Sequence, residues 1–455
     1  MTPAVVKLEM DLTSLQGFNH RLGSWSASTP QTAQELERWQ LDSAWSLAEH
    51  LATINPYYRE RLRLPKDRDR ESFAALPLTR KGDVVADCER HPPFGSRTVV
   101  AKEDVRMVVQ TSGTSGMGVE VYALNQADLA AILQTEAVGF AWAGIRAGTR
   151  VLLTLPIGVT AAGLWYFAAL RALGANVLAV GSYPTERKVE TLARFGAEVI
   201  VATPSYLSRL ATACEDAALD PARLGMRSLI VAGEAFSHQW AGEIQERWQA
   251  TLYEQYGCTE RAIAWTCPGG VIKNGQLGVL HFPPESGYYE VIDPETGTPV
   301  GENEDGELVV TPFGASASPL LRYATGDRVR WIPPGGCPCS RPLRGIAAGA
   351  VQRWDDMMKI RGINVWPAQF DAAVFAVEGI TDYRGVVATD QRNREIITIR
   401  LETTREGAEQ QVVHAVRNSI GLRAQVVVEP PGTLAREVPP GFVKIRRWQD
   451  ARKVR

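Results

Sequence analysis

The sequence predicts an α/β protein with a large N-terminal domain of helix-covered, largely parallel sheets, an antiparallel β-subdomain and a small, mobile α+β C-terminal domain. Three successive patterns along the chain indicate this class. Amphipathic helical segments alternate with short apolar strands up to about residue 260, strands joined by turns follow, and a mixed unit of about 100 residues ends the chain. Alternation of this kind is typical of a parallel sheet that is covered by helices.

The N-terminal domain is predicted over residues 1–354, with a helical lead-in over about 1–100 and an α/β core over 101–260. In the core, the helical period of QADLAAILQTEAVGFAWAGI precedes RVLLTLPI, a short apolar run that predicts a buried strand. The helix GLWYFAALRALGA, the strand NVLAV, the helix ERKVETLARFG and the strand EVIVAT continue the alternation. A helix that begins at Pro204 and the strand SLIVAGE complete it.

Residues 261–354 are predicted to form the antiparallel β-subdomain, because GYYEVIDPETGTPVGENEDGELVVTP has the pattern of strands joined by Pro, Gly and Asn turns. The C-terminal lid domain is predicted over residues 355–455. It contains the helices AQFDAAVFAVEG and AEQQVVHAVRNSIG and the strands RGVVATD, EIITIRLE and AQVVVE.

The composition excludes several classes of partner. A formal net charge of -2, with 45% hydrophobic and 22% charged residues, indicates an ordinary soluble enzyme and no nucleic acid partner. No apolar run approaches the roughly 18 residues of a membrane span, and the N-terminus lacks the apolar stretch of a signal peptide. Six cysteines in 455 residues are too few for a disulfide framework, so we expect a cytoplasmic protein.

The stretch VVQTSGTSGMGVEVY, residues 108–122, has the composition of an anion-binding loop. Its Thr, Ser and Gly residues offer backbone N–H groups and short hydroxyls to phosphate oxygens. It lacks the Gly-Lys-Ser/Thr ending of a P-loop, because Met117 stands where a lysine is expected. Since loops of this composition are also common surface turns, the loop alone does not decide between the two interpretations.

Further short motifs follow this loop in order: VAGEAF, YGCTE, RYATGD, DDMMKIRGINVWP and a lysine close to the C-terminus. The series resembles that of the ANL superfamily of adenylate-forming enzymes. The residues within the motifs are similar to those of the phenylacetate–CoA ligase branch. NPYYRERL, LPLTRKGDV, PPFG and TERKVETLARFGAEVIVATPSYLSRLA resemble other segments of that branch. The resemblance covers about residues 55–453.

The resemblance implies an ATP site built from two groups of residues. The loop around the β- and γ-phosphates comprises Thr111, Ser112, Gly113, Thr114, Ser115 and Gly116. The residues near the nucleoside and the α-phosphate comprise Gly233, Glu234, Ala235, Tyr256, Gly257, Thr259 and Asp327.

Individual roles follow from the same resemblance. The segment that begins at Gly233 would lie along the adenine, and Tyr256 would stack on the purine. Asp327 would accept hydrogen bonds from the ribose hydroxyls, for which an ionised carboxylate is suited. Thr259 and Glu260 would face the α-phosphate, Glu260 through Mg²⁺, which takes carboxylate and phosphate oxygens.

Arg353 and Asp355 would mark the joint about which the C-terminal domain rotates between two half-reactions. Lys359 and the adjacent RGIN would belong to the face presented to the thiol acceptor. The catalytic lysine would bridge the substrate carboxylate and the α-phosphate. The best match to the branch's C-terminal ending is VKIRRWQDAR, which selects Lys444, with Lys453 as the competitor.

The pair Cys337 and Cys339, in GGCPCSR, indicates zinc more than a disulfide in a cytoplasmic protein. The resemblance implies a structural Zn²⁺ with two more ligands from the region after YGCTE. The candidates are Cys267 and His281, and the alternative is a set of reduced, metal-free thiols.

The resemblance implies an ATP-dependent ligase that converts a carboxylic acid to an acyl-adenylate, releases pyrophosphate and transfers the acyl group to CoA. The acid pocket would be lined by IGVTAAGLWYF and RAIAW. Small residues beside Trp165, Tyr166 and Trp265 favour a flat aromatic ring, so an aryl or arylalkanoic acid is expected.

Two alternatives stay open. The adenylate could react with a carrier-protein thiol, an amine or nitrite, as in an ATP-dependent diazotase of secondary metabolism. Met117 and Val443, which differ from the usual residues of the branch, favour such a specialised member. The second alternative is a non-catalytic nucleotide-binding protein. The sequence leaves open whether the chain forms a homodimer.

Overall fold

A computed structural model of the chain describes residues 32–111, 118–158, 161–273, 275–339, 341–390, 394–437 and 447–452. Its helices are α1 (Ala33–Ile54), α2 (Pro56–Arg61), α3 (Arg70–Ala74), α4 (Lys81–Arg90), α5 (Gln126–Trp142), α6 (Ala161–Ala172), α7 (Thr185–Phe195), α8 (Pro204–Asp216), α9 (His238–Trp248), α10 (Pro367–Phe375), α11 (Ala408–Ile420) and α12 (Thr433–Arg436).

The strands of the first 300 residues are β1 (Met107–Gln110), β2 (Val121–Leu124), β3 (Arg150–Leu153), β4 (Asn176–Ala179), β5 (Val199–Ala202), β6 (Ser228–Ala232), β7 (Thr251–Gly257), β8 (Ile263–Thr266), β9 (Ile272–Lys273), β10 (Gln276–Leu277), β11 (Val279–His281) and β12 (Gly287–Ile292). The remaining strands are β13 (Asp305–Pro312), β14 (Tyr323–Ile332), β15 (Gly345–Ala347), β16 (Gln352–Arg353), β17 (Met358–Ile360), β18 (Ile363–Val365), β19 (Ile380–Thr389), β20 (Glu395–Thr403), β21 (Gln425–Glu429) and β22 (Trp448–Asp450).

One sheet of twelve strands runs through the larger part of the molecule, in the order β4-β3-β5-β6-β7-β8-β11-β15-β14-β13-β12, with β16 beside β14. The strands from β4 to β7 pair in parallel, and β7 pairs with β8 antiparallel. The predicted α/β class is confirmed. The antiparallel strands, however, continue the same sheet, because β7 has a parallel neighbour on one side and an antiparallel neighbour on the other.

The central parallel strands are covered on both faces, which explains their uninterrupted apolar sequences. Every residue of β5 and β6 is buried. Successive side chains point to opposite faces, so Ile200 and Leu229 pack with α7, α8 and α9, whereas Val201 and Ile230 pack with α5 and α6. Because these strands are parallel, the carboxyl ends of β3, β6 and β7 meet at one edge of the sheet. We call it the ligand edge, since open α/β sheets bind ligands at this position.

A smaller sheet in the order β21-β20-β19-β22 carries the predicted C-terminal pattern, with α10 and α11 in its apolar core. The sequence did not predict β22, which pairs in parallel with β19 and places Trp448 against Phe370. The domain boundary expected between residues 354 and 355 stays a prediction; it falls between β16 and β17. Within the described residues, we find no helix with the length and apolar character needed to cross a membrane.

Candidate active site

Asp327, in β14, lies at the centre of a buried polar cluster. The hydroxyl of Tyr256, near the end of β7, donates a hydrogen bond of 2.5 Å to Asp327 Oδ2. On the other side, Arg353 Nη1 donates to Asp327 Oδ1 over 3.1 Å. The antiparallel pairing of β16 with β14 sets Asp327 directly opposite Arg353. Two motifs that are about 70 residues apart in sequence therefore meet at one carboxylate.

Arg353 also links this carboxylate to the predicted joint. Its Nη1 donates to the carbonyl of Thr325 over 2.6 Å, and its Nε lies 2.9 Å from Asp355 Oδ1. Burial opposes the charge of Arg353, but the carboxylates of Asp327 and Asp355 outweigh it and raise the pKa of the guanidinium. Gly326 has a positive φ of 74°, and a Cβ there would lie 2.8 Å from Arg353 Nη2, so the close approach requires glycine.

A second glutamate, which sequence reasoning missed, lies beside Glu260. The hydroxyl of Tyr323 donates to Glu120 Oε1 over 2.7 Å and lies 3.4 Å from Glu260 Oε1. Tyr122 donates to Glu120 over 3.1 Å, and Lys81 Nζ lies 3.9 Å from Glu120 Oε2. Burial and the charge of Glu260 raise the pKa of Glu120 to about 8. The sequence could have indicated Glu120, because the alternation of GVEVY puts it on the same strand face as Tyr122.

These residues fit the ligand preference of magnesium. Glu260 is 9% exposed, at the rim of the cluster, whereas Glu120 is 1% exposed beneath it. Carboxylate oxygens are hard ligands, and Mg²⁺ is usually held by one or two of them together with substrate phosphates. The predicted assignment of Glu260 to Mg²⁺ is thus chemically consistent with its surroundings, and it stays a prediction.

The base of the phosphate loop is closed by two hydrogen bonds between Thr111 and Glu120. Thr111 N donates to the Glu120 carbonyl over 3.1 Å, and Glu120 N donates to Thr111 Oγ1 over 3.0 Å. The predicted loop residues beyond this base lie outside the described part of the chain: Ser112, Gly113, Thr114, Ser115 and Gly116. The chain thus approaches and leaves the loop directly beside the glutamate pair.

The segment predicted to lie along the adenine follows β6 at the ligand edge of the sheet. Gly233 has a positive φ of 85°, and Ala235 is half-buried. The carboxylate of Glu234 accepts hydrogen bonds from Ser205 N over 2.9 Å and from Ser205 Oγ over 2.8 Å, so it holds the start of α8. Because Ser205 engages the carboxylate of Glu234, the predicted contact with adenine is assigned to the backbone of the segment, and it stays a prediction.

The remaining predicted residues lie on two surfaces. Gly257 is exposed and Thr259 is half-buried, both between Tyr256 and Glu260. Lys359, in β17, is exposed, and its carbonyl accepts a hydrogen bond of 2.8 Å from Arg452 Nη1. Lys359 therefore belongs to the two-stranded sheet of β17 and β18, and its hydrogen bond to Arg452 does not involve the Asp327 cluster.

Lys444 lies outside the described residues, but the chain three residues later is firmly held. Arg447 Nε lies 3.4 Å from Asp382 Oδ1, and its Nη1 lies 3.9 Å from Asp371 Oδ1. Burial lowers the pKa of Arg447, but the charges of Asp371, Glu234 and Asp382 together raise it. Glu234, in the segment that follows β6, is thus close enough to Arg447 to stabilise its charge.

The four predicted zinc ligands come together. The ligand atoms of Cys267, His281, Cys337 and Cys339 all lie within 4.8 Å of one another. Two of the separations are 3.7 Å between the sulfurs of Cys267 and Cys337, and 3.4 Å between Cys339 Sγ and His281 Nε2. Zn–S bonds of about 2.3 Å in a tetrahedron require ligand separations of ~3.8 Å. The residues thus fit a closed, structural zinc site, which stays a prediction.

We expect the purified protein to contain about one zinc ion per chain, measured by inductively coupled plasma mass spectrometry. Cys337→Ser should lose most of the metal. It should also lower the melting temperature by roughly 5–10 °C, because the bound metal would link the segments that carry its four ligands. Cys88→Ser removes a half-buried thiol outside the cluster and should change neither value appreciably. Full metal content in Cys337→Ser would contradict the assignment.

With this geometry in place, comparison with known proteins identifies the family. The family model described as "AMP-binding enzyme" matches residues 38–315. The chain belongs to the AMP-binding enzyme family. A second model of these enzymes, described as "AMP-binding enzyme C-terminal domain", matches residues 362–452.

Among AMP-binding enzymes, the chain is 29% identical over 430 residues to the phenylacetate-coenzyme A ligase of Thermus thermophilus, covering 88% of this chain and 92% of that protein. It is 29% identical over 411 residues to the phenylacetate-coenzyme A ligase of Pseudomonas putida, covering 86% and 89%. Its fold is similar to the crystal structure of 2-hydroxyisobutyryl-CoA ligase with R3-HIB-AMP, with a TM-score of 0.83, 22% identity and 95% of both chains covered. The predicted superfamily and enzyme class, an adenylate-forming acid–thiol ligase, are confirmed.

Proposed function

We propose that the chain activates an aromatic carboxylic acid, aryl or arylalkanoic, with ATP and transfers the acyl group of the adenylate to CoA. The observation that carries this proposal is the buried Tyr256–Asp327–Arg353 cluster, with Glu260 at the same sheet edge, in a chain of the AMP-binding enzyme family. The phenylacetate-coenzyme A ligases named above support both the aromatic acid and CoA as the thiol.

In the first half-reaction, a carboxylate oxygen of the acid attacks the α-phosphorus of ATP in line. The bond to the bridging oxygen breaks, and pyrophosphate leaves with its electron pair. Positioning and charge stabilisation do most of the work in such a transfer. Mg²⁺ held at Glu260 would supply positive charge to the phosphates, and Lys444 would supply it to the reacting oxygens.

Asp327 can bind the ribose while it keeps its protein partners. Each oxygen of an ionised carboxylate can accept more than one hydrogen bond, and here Tyr256 donates to Oδ2 and Arg353 donates to Oδ1. We expect the ribose hydroxyls to donate to the same two oxygens. The two partners also fix the orientation of the carboxylate before the nucleotide arrives, which reduces the entropy lost on binding.

In the second half-reaction, the thiolate of CoA attacks the acyl carbon and AMP leaves. The C-terminal domain would rotate between the two steps about the joint at Arg353 and Asp355. The ion pair between these residues, with Asp327 on the other side of Arg353, makes the joint part of the ribose cluster. A movement at the joint would therefore displace Arg353 and, through it, the carboxylate of Asp327 that binds the ribose.

The aromatic part of the proposal is supported by rings beside the strand end that carries Gly257. The ring centroids of Phe140 and Trp265 are 4.8 Å apart, and those of Phe140 and Tyr166 are 5.5 Å apart. Both pairs pack edge to face, an arrangement in which aromatic rings attract one another, so we expect a further flat ring to be favoured beside them.

The decisive experiment is ATP–pyrophosphate exchange with Mg²⁺ and a panel of aromatic and short aliphatic acids, followed by mass analysis of the product with CoA. We expect exchange with aromatic acids and a CoA thioester as the product. Exchange with no acid would contradict the proposal. Exchange without thioester formation would instead direct attention to a carrier-protein thiol, an amine or nitrite as the acceptor.

A further inference from the structure

Three buried polar side chains form a chain of hydrogen bonds inside an otherwise apolar core. They are Glu136 on α5, Gln255 in β7 and Tyr166 on α6, which are 2%, 3% and 2% exposed. Gln255 Nε2 donates to the carboxyl oxygens of Glu136 over 3.2 and 3.4 Å. The hydroxyl of Tyr166 donates to Gln255 Oε1. The two half-reactions proposed above use none of their polar groups.

The carboxyl of Glu136 is incompletely satisfied. Within the described residues, it forms no ion pair and its hydrogen bonds come from Gln255 alone. The indole nitrogen of Trp265 is buried beside it, near enough to partly offset the rise that burial causes in the pKa of the carboxyl, but outside hydrogen-bonding geometry. If Glu136 is ionised, its charge has no ion-pair partner among the described residues. A buried carboxylate is costly unless further groups pair with it or complete its hydrogen bonds.

The position of these three hydrogen-bonded side chains in the fold indicates where such a group comes from. Gln255 directly precedes Tyr256 and Gly257 at the carboxyl end of β7. A Cβ on Gly257 would lie 2.6 Å from Gln255 Nε2, so the amide lies directly beneath this exposed glycine. Tyr166 belongs to the helix that follows β3 at the same sheet edge. The three hydrogen-bonded side chains therefore lead from the ligand edge of the sheet into the core.

A purely structural role explains these side chains less well. Their surroundings are apolar and aromatic, including Phe140, Ile263 and the ring of Trp265. An apolar side chain in place of Glu136 would fill this core without burying an incompletely bonded carboxyl. In contrast, polar groups that bind a substrate substituent provide strong discrimination, because an analogue without that substituent leaves them unpaired.

We propose that Tyr166, Gln255 and Glu136 form the inner end of the acid pocket and select aromatic acids that carry a hydrogen-bond-donating ring substituent, an amino or a hydroxyl group. This inference rests on the proposed function. The substituent donates to the carboxyl of Glu136, while Gln255 and Tyr166 hold that carboxyl in place. Burial raises the pKa of Glu136 to about 8, and Trp265 and Gln255 partly offset this rise, so a donor that binds the carboxyl would stabilise its ionised form.

The test compares substituents of nearly equal size. ATP–pyrophosphate exchange is measured with benzoate and phenylacetate that carry an amino, a hydroxyl or a methyl group at the 3- or 4-position of the ring. At one ring position, we expect kcat/KM for the amino- or hydroxyl-bearing acid to exceed that for the methyl-bearing acid by at least about tenfold, the worth of one hydrogen bond to a buried carboxyl. Which of the two donors is preferred follows from the same panel.

Glu136→Leu should bring this ratio close to one, because it should lower kcat/KM for the amino- or hydroxyl-bearing acid more than for the methyl-bearing acid. Glu136→Gln retains one acceptor oxygen and should give an intermediate ratio. Glu254→Leu is the matched control, because Glu254 is also buried in β7 but points to the opposite face, where it accepts from Gly349 N over 2.6 Å. It should keep the wild-type ratio whatever its stability, since a ratio within one preparation is independent of the folded fraction.

A wild-type enzyme that accepts methyl-bearing acids as well as the donors would overturn the inference and leave the proposed function intact. A Glu136→Leu variant that lowers kcat/KM equally for all acids would also overturn it, by indicating structural support. Absence of exchange with every acid would overturn both proposals. If the Glu136 variants do not fold, the wild-type panel still decides.

Discussion

Lys444→Ala is expected to slow acyl-adenylate formation by about 10²–10³-fold, the usual effect of removing one charge that stabilises a transition state. Transfer from a supplied adenylate to CoA should stay largely intact. The choice of Lys444 rests on the match of VKIRRWQDAR to the C-terminal ending of the branch.

The two half-reactions are measured separately, by pyrophosphate exchange and by thioester formation from synthetic acyl-adenylate. Lys453→Ala is the control, because it removes the competing lysine from the same end of the chain. Normal exchange in Lys444→Ala together with loss of exchange in Lys453→Ala would transfer the assignment to Lys453. Equal loss of both half-reactions in Lys444→Ala would contradict a role confined to adenylation.

Asp327→Ala is expected to lower kcat/KM for ATP by roughly 10²–10⁴-fold. It removes two acceptors for the ribose and leaves both Tyr256 and Arg353 without their partner at the cluster. Hydrogen bonds to a charged group contribute about 1.5–3 kcal/mol each, which sets this range for two of them. Asp327→Asn keeps the shape but only one acceptor oxygen, so an intermediate loss is expected.

Asp305→Ala is a matched control for this experiment. Asp305 pairs with Arg328 and with Arg330 on neighbouring strands, so its loss also breaks aspartate–arginine pairs, but outside the cluster. We expect kcat/KM for ATP within about threefold of wild type, because both pairs are in part exposed to solvent and ion pairs at the surface contribute at most ~1 kcal/mol. An Asp327→Ala enzyme that is folded by its melting curve and retains its KM for ATP would exclude the ribose role.

Local patterns were sufficient for most of the fold. The buried runs that became β5 and β6, and the amphipathic α7, have periods that arise within a few residues, so they are readable without knowledge of the neighbours. The strand β22 escaped prediction because it has three residues and is stabilised by its pairing with β19 and by the ring of Phe370. The continuity of the large sheet escaped for a similar reason, since strand order depends on contacts that no local pattern encodes.

For the candidate site, too, the sequence indicated some residues and only the structure revealed others. The order of short motifs indicated Tyr256, Asp327 and Arg353, and the structure brings these three together. The motifs did not indicate Glu120 or Glu136, because an isolated glutamate in an apolar segment has no meaning until its partner is known. Those partners are Glu260, reached through Tyr323, and Gln255, which is 119 residues away in sequence.

The amino-acid sequence therefore sufficed for the superfamily and the α/β class, because these depend on the order of short motifs and on local periodicity. Only the tertiary structure decided which ionisable groups meet. It assembled Cys267, His281, Cys337 and Cys339 around one point and buried Glu136 beneath the ligand edge. The physical reason is that the meeting of such side chains, and the shift of a carboxyl pKa by burial, depend on how strands and helices pack across long separations in sequence.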